Sequence, residues 1–178
     1  DELQLPFMKL LISLLLAMKG SVCIYQGEEL GLNEAEVPFE KLQDPYGIEF
    51  WPEFKGRDGC RTPMVWDSTT NGGFTEAEPW LPVDQKHLAH AVSEQLEDDA
   101  SLLMYYRKLI SFRKECKPLY LGEIKNIDAT QELLCFTRVY QKKRIECFFN
   151  FSSTETLVNV ENALEIIHTS CEEVRRQS

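Results

Sequence analysis

With 178 residues, 43% of them hydrophobic, the chain holds enough apolar material for one sizeable core plus a small second domain. Its net charge of −10 and pI near 4.8 exclude the concentrated basic surface that nucleic acid or an anionic membrane would require of a partner. The one basic run, Lys142-Lys143-Arg144, falls between two apolar alternating stretches and reads as a solvated hairpin turn.

The chain opens Asp1-Glu2, without Met or a basic leader, and enters an apolar helix at once, so it reads as the continuation of something upstream. Pro6 suits a first helical turn, and Phe7 to Lys19 is rich in Leu, Met and Ala before Gly20, a residue able to take the left-handed cap. That helix is apolar on nearly all sides and too short for a bilayer span, which predicts a buried position. Ser21 to Tyr25 follows as a short β-branched and aromatic run closed by Gly27, the pattern of a parallel strand buried on both faces. Helix, strand and then a polar loop is the layout of an α/β barrel or doubly wound sheet, with chemistry at the carboxyl ends of the strands.

From Gly27 to about Asp98 the chain carries six of its eight prolines and no sustained periodicity, which predicts a long ordered loop that shapes a site or a lid. Asp44-Pro45-Tyr46-Gly47 reads as a turn within it. The densest stretch runs from Phe54 through Gly56, Arg57, Asp58, Gly59, Cys60, Arg61, Thr62 and Pro63 to Trp66 and Asp67. Its glycines permit tight backbone, Arg57 and Arg61 offer planar forks, and Trp66 offers an apolar plate of the kind sugars stack on. The plain alternative is a brace, with both arginines paired to Asp58 and Asp67 to hold the loop in shape.

Asp98 or Asp99 is expected to cap a further helix, whose buried face holds Leu102, Leu103, Tyr106, Leu109, Ile110 and Arg113 and which Lys117-Pro118 ends. Beyond it, Gly122–Lys125, Leu133–Tyr140, Arg144–Phe151 and Glu155–Val158 are strand-like, giving an antiparallel β domain over 118–178 after an α/β part over 1–117. Cys171 to Ser178 is charged and aperiodic and is expected to fray. Cys23, Cys60, Cys116, Cys135, Cys147 and Cys171 show no two-residue spacing, so they are expected to be reduced, mostly buried thiols of a cytoplasmic protein, although their even number leaves a disulfide open. His87, His90 and His168 form no metal spacing, and neither a metal site nor a cofactor is expected.

The run Ile24 to Gly31, then Asp44-Pro45-Tyr46-Gly47, Phe50-Trp51-Pro52, Gly56 to Met64, Ser101-Leu102-Leu103 and Tyr106-Arg107 resembles the C-terminal third of a bacterial α-glucosidase of glycoside hydrolase family 13, the α-amylase family. Order and spacing match over most of the chain; over the final β domain only the strand pattern agrees. The resemblance implies the C-terminal end of a (β/α)8 TIM barrel followed by a small antiparallel β-sandwich. Phe7 to Lys19 would be the seventh barrel helix, Val22 to Tyr25 the eighth strand, and the helix after Asp98 the eighth helix. It implies a retaining enzyme that hydrolyses terminal α-linked glucose from oligosaccharides or disaccharides without a cofactor. The catalytic carboxylates would lie upstream of Asp1, in an N-terminal part of the same enzyme, so this chain alone is expected to be inactive. Glu28, Glu29, Arg57 and Asp58 are expected to line the substrate cleft, and Arg61 and Trp66 to support the loop, Arg61 through a carboxylate such as Asp58. Glu28 or Glu29 paired with Asp58 is the lesser alternative for a catalytic pair. The other readings are a transferase or isomerase acting on sucrose, maltose or trehalose, and a non-catalytic relative such as a transporter heavy-chain ectodomain.

Overall fold

The computed structural model describes residues 5–158 and Val160, so the expected fraying tail, His168 and Cys171 lie outside the described residues. Packing divides the described residues into two units, one built from Cys23–Arg107 and the other from residues 5–22 together with those after Arg107.

In the second unit, helix α1 (Leu5–Ala17) packs with α6 (Lys117–Leu121) and a three-stranded antiparallel meander: β1 (Glu123–Ala129), β2 (Leu133–Tyr140) and β3 (Lys143–Asn150), in spatial order β1-β2-β3. The period of two places Ile124, Leu134, Phe136, Ile145, Cys147 and Phe149 on one sheet face, against Ala17, Leu119, Leu10, Leu14, Phe112 and Cys116. Phe136 and Phe149 stack at 5.6 Å between ring centroids. The β2–β3 turn falls on Gln141 and Lys142, as the basic run predicts, with Tyr140 opposite Lys143. A bulge between Lys125 and Asp128, with Asn126 at φ 51°, shifts the β1–β2 register.

Four expectations are corrected here. Glu155–Val158 forms no strand. Pro118 does not merely end a helix: it sits in the first turn of α6, where its missing N–H costs nothing. Helix α1 is covered on one side only, since Ile12, Leu16 and Ala17 are buried while Phe7, Leu11, Leu15 and Met18 remain 38–42% exposed as a stripe along the opposite side. Ser21–Tyr25 has no regular secondary structure and pairs with no strand among the described residues, and Cys23 and Tyr25 are exposed. A parallel strand needs hydrogen-bonding neighbours, and this segment has none here.

The C-terminus of α1 is closed by two guanidiniums. Arg113, on helix α5 (Leu102–Glu115), donates to the carbonyls of Leu16, Met18 (2.9 Å) and Gly20 (2.8 Å). Arg138, fully buried on β2, donates to the carbonyls of Ala17, Leu119 (2.9 Å) and Gly122 (2.8 Å). The last carbonyls of a helix have no partner within it, and cations at that end also oppose the helix dipole. Burial pushes both guanidinium pKa values below their ordinary level.

In the first unit, the long segment after Gly27 is mostly irregular, punctuated by single 3-10 turns at Glu28–Leu30, Phe39–Lys41 and Asp58–Cys60 and by the short helices α2 (Pro45–Glu49), α3 (Gln85–Leu88) and α4 (Val92–Leu96). Two small apolar clusters hold it. Leu30, Val65 and Ala91 form one, with Met64, Leu88 and Leu103 against them, and Val37, Leu42 and Leu81 form the other, beside Trp51. On α5, Leu102, Tyr106, Leu109 and Arg113 are buried, the face that the helical spacing predicts. Its cap is Ser101, whose Oγ accepts from the Met104 N–H at 3.2 Å and donates to the Gln95 carbonyl; Asp98 instead accepts from the Ala100 N–H in the preceding turn. The thiols of Cys116, Cys135 and Cys147 are half-buried and those of Cys23 and Cys60 exposed, so the described cysteines are free but less enclosed than expected. Among the described residues no helix is long and apolar enough to cross a membrane.

Replacing Arg138 by Met preserves much of the side chain's volume but leaves three buried carbonyls without donors, which should cost about 2–5 kcal/mol of stability. Denaturant unfolding followed by circular dichroism would measure it; a loss under about 0.5 kcal/mol would mean that these bonds do not hold the end of α1.

Candidate functional site

The loop from Gly56 to Asp67 is built around two enclosed carboxylates. Asp58, with no exposed surface, accepts at Oδ2 from the backbone N–H groups of Gln43 (2.5 Å) and Asp44 (2.7 Å), which ties the start of the loop to the segment before α2. Asp44, 2% exposed, caps α2 by accepting from the Tyr46 N–H at 3.0 Å, ahead of Pro45 at the first helical position. Its other oxygen, Oδ2, accepts from the Arg57 N–H (3.1 Å) and the Arg57 Nε–H (3.4 Å) and lies 3.6 Å from Arg61 Nη1. The two arginines therefore meet on Asp44. Asp58, the carboxylate anticipated for Arg61, instead has Oδ2 on backbone donors and Oδ1 buried without a hydrogen-bond partner.

This closeness needs the glycines. Gly56, at φ +74°, brings its α-carbon so near Asp44 that a Cβ would stand 2.9 Å from the Asp44 Cβ. Gly59 lies against the Ala35 carbonyl, where a Cβ would stand at 2.5 Å, and its own carbonyl accepts from the Ala35 N–H.

Burial by itself would raise the Asp44 carboxyl, but the Tyr46 and Arg57 N–H groups and the Arg57 guanidinium outweigh it and hold the pKa below the ordinary carboxylate value. Asp67 is lowered by the Thr69 hydroxyl and N–H, which close the turn after Trp66. Trp66 supports that turn through its backbone, with its N–H on the Gly72 carbonyl (2.7 Å) and its carbonyl accepting from Ser93 (3.0 Å), while half of its surface stays exposed.

Glu28 and Glu29 sit in the first 3-10 turn, Glu28 exposed and Glu29 accepting from the Gly27 N–H at 2.9 Å. The Tyr106 phenol of α5 is pushed up to about 12, chiefly by burial and further by the charges of Glu28 and Glu29. Gln26, one residue before Gly27, donates to the Thr62 carbonyl at 3.0 Å, so the acidic turn and the arginine loop are stitched within one unit. Among the described residues no group of three or more His, Cys, Asp or Glu could hold a metal ion. Sequence reasoning passed over Asp44 as a turn residue. The Asp-Pro pair is the signature of a helix N-cap with proline at the first position, but that two arginines would find it is tertiary.

The chain matches the model of the alpha-amylase family, "Alpha amylase, catalytic domain", over residues 1–122, and it belongs to that family. It is 55% identical over 144 residues to a probable alpha-glucosidase of Rhizobium meliloti (strain 1021), a match covering 81% of this chain and 26% of that protein. It is 35% identical over 161 residues to an oligo-1,6-glucosidase of Halalkalibacterium halodurans, covering 80% of this chain and 29% of the relative. Among solved structures it resembles the alpha-glucosyl transfer enzyme XgtA, with a TM-score of 0.80 and 48% identity over 84% of this chain and 28% of the other. The trehalulose synthase MutB from Pseudomonas mesoacidophila MX-45 follows at a TM-score of 0.73 and 26% identity, over 83% and 30%. The chain thus spans less than a third of the length of these relatives.

Removing the Asp58 acceptor should leave two backbone donors unpaired, so Asp58→Ala should cost about 2–4 kcal/mol and Asp58→Asn less, by denaturant unfolding. An Asp58→Ala protein as stable as the parent would show that water replaces the carboxylate at no cost. The carboxylates of Asp44 and Asp67 titrate below their unfolded values, so the stability they add is fully present at neutral pH and lost as pH falls through the lowered values. The thermal midpoint should therefore be flat at neutral pH and drop below about pH 4, with a smaller drop in Asp44→Asn.

Proposed function

We propose that this chain is the C-terminal part of a retaining α-glucosidase that hydrolyses terminal α-linked glucose from short oligosaccharides or disaccharides, without a cofactor and in the cytoplasm. The observation that carries the reading is the Arg57 guanidinium, two-thirds exposed above the buried Asp44 carboxylate, in a chain so close to a probable alpha-glucosidase. Residues 1–117 form the end of a (β/α)8 barrel and 118–178 the C-terminal β-sandwich. Two features support this: the open apolar stripe of α1, and the unpaired Ser21–Tyr25 segment, which has the composition of a buried strand and lacks its neighbours. Retaining chemistry needs two carboxyls about 5 Å apart across the scissile bond. Asp58 is enclosed with Oδ2 held by backbone donors, so the nucleophile and the acid/base belong to the N-terminal part of the same enzyme. In that enzyme Glu28, Glu29 and Arg57 line the glucoside-binding cleft, Asp58 serves it from beneath, and Arg61 and Trp66 hold the loop. The solved structures named for glucosyl transfer and trehalulose synthesis favour a second reading, in which the same site passes glucose to a sugar instead of water.

The 178-residue chain alone should release no glucose from a chromogenic α-glucoside, while the full-length protein should. In the full-length protein Arg57→Lys should lower kcat/KM by about 5- to 150-fold, the equivalent of about 1–3 kcal/mol of charged hydrogen bonding, with the thermal midpoint kept. Arg61→Lys should do the reverse, lowering the midpoint first. Turnover by the chain alone, or an unchanged kcat/KM in Arg57→Lys across several α-glucosides, would overturn the reading.

A further inference from the structure

We infer that Asp44 is a positioning residue that aims the Arg57 guanidinium at the substrate; this rests on the glucoside-binding role proposed for Arg57. An arginine with four rotatable side-chain bonds and two-thirds of its surface in solvent does not hold one direction unless something fixes its stem. Asp44 Oδ2 grips Arg57 at two points, the backbone N–H (3.1 Å) and Nε (3.4 Å), and the terminal Nη1 and Nη2 take no part in that contact. The terminal nitrogens, which can donate two parallel bonds to paired hydroxyls or a carboxylate, are therefore not spent on the buried anchor.

The anchor is itself fixed. Asp44 Oδ1 is held by the Tyr46 N–H, its own N–H is held by Asp58 Oδ2, and Gly56 admits it against the backbone of the loop. The enclosed carboxylate of Asp58 thus sets Asp44, and Asp44 sets Arg57. Arg61, 3.6 Å from the same oxygen, gives this carboxylate a second cation, so Asp44 is shared between two guanidiniums and is held from both sides.

A merely structural role would confine Asp44 to capping α2, and the two roles separate in the full-length protein. Asp44→Ser keeps a capping oxygen for the Tyr46 N–H but is too short to reach Arg57 Nε. We expect its KM for α-glucosides to rise about tenfold or more with a smaller change in kcat, and its thermal midpoint to fall only modestly. In a double-mutant cycle with Arg57→Lys, Asp44→Ser should add less than about twofold, because the direction it controls is already lost. Asp44→Asn, which keeps one acceptor oxygen for the Tyr46 N–H but sets an amide NH2 in place of the oxygen that Arg57 uses and removes the charge, carries the same cycle if the serine variant does not fold. A fully multiplicative cycle, or a lowered midpoint with KM unchanged, overturns the inference and leaves Asp44 a cap. An unchanged KM in Arg57→Lys alone overturns the reading of the site itself, a result distinct from a multiplicative cycle, which leaves Arg57 in the site and removes Asp44.

Discussion

Backbone polar groups buried without a ladder must find partners, and in this protein charged side chains supply them at the critical places. A sheet or a long helix satisfies its own N–H and C=O groups, but the segment between Gly27 and Ser101 has little of either. Asp58 takes the N–H groups of Gln43 and Asp44, and Asp44 those of Tyr46 and Arg57. In the other unit the signs invert: Arg113 and Arg138 take carbonyls at the end of α1, with Arg138 reaching α6 as well. Replacing such a residue by an apolar one removes an ion and strands several backbone groups together, which is why these few positions outweigh most of the apolar contacts around them.

The same constraint shapes the site. Once the carboxylates of Asp44 and Asp58 are enclosed to hold backbone, they are poor candidates for bond-making, and the chemistry left at the surface is that of exposed donors and acceptors: the outer face of Arg57, the Glu28 carboxylate and the plate of Trp66. Groups of this kind suit the recognition role proposed for this part of the chain more than a covalent step.

Helix α1 and the segment after it show the limit of a local pattern. The all-round apolar composition of Phe7 to Lys19 reads as burial, yet one stripe of the helix is open, and the β-branched run after it pairs with no strand among the described residues. Apolar composition states what a segment can bury and not which of its faces finds a partner.

The sequence by itself determined what depends on neighbours along the chain: the helix over Leu102–Glu115 and its buried face, the β2–β3 hairpin and its charged turn, the family, and the density of special residues around Arg57. The Ser101 cap, the helical turn begun at Pro118 and the absence of a strand at Glu155–Val158 departed from it by small local margins, since Asp98 and Ser101 are comparable caps and proline both ends one helix and opens the next. Which carboxylate each arginine meets depends on how distant parts of the chain pack. Asp58 and Asp67 were the neighbours in sequence, but Asp44, thirteen residues before Arg57, is the neighbour in space, because Gly56 lets the loop close onto it, while Asp58 is buried with Oδ2 on backbone donors. A charge pair acts over a few ångströms regardless of distance along the chain, so its partner follows from how the loop closes.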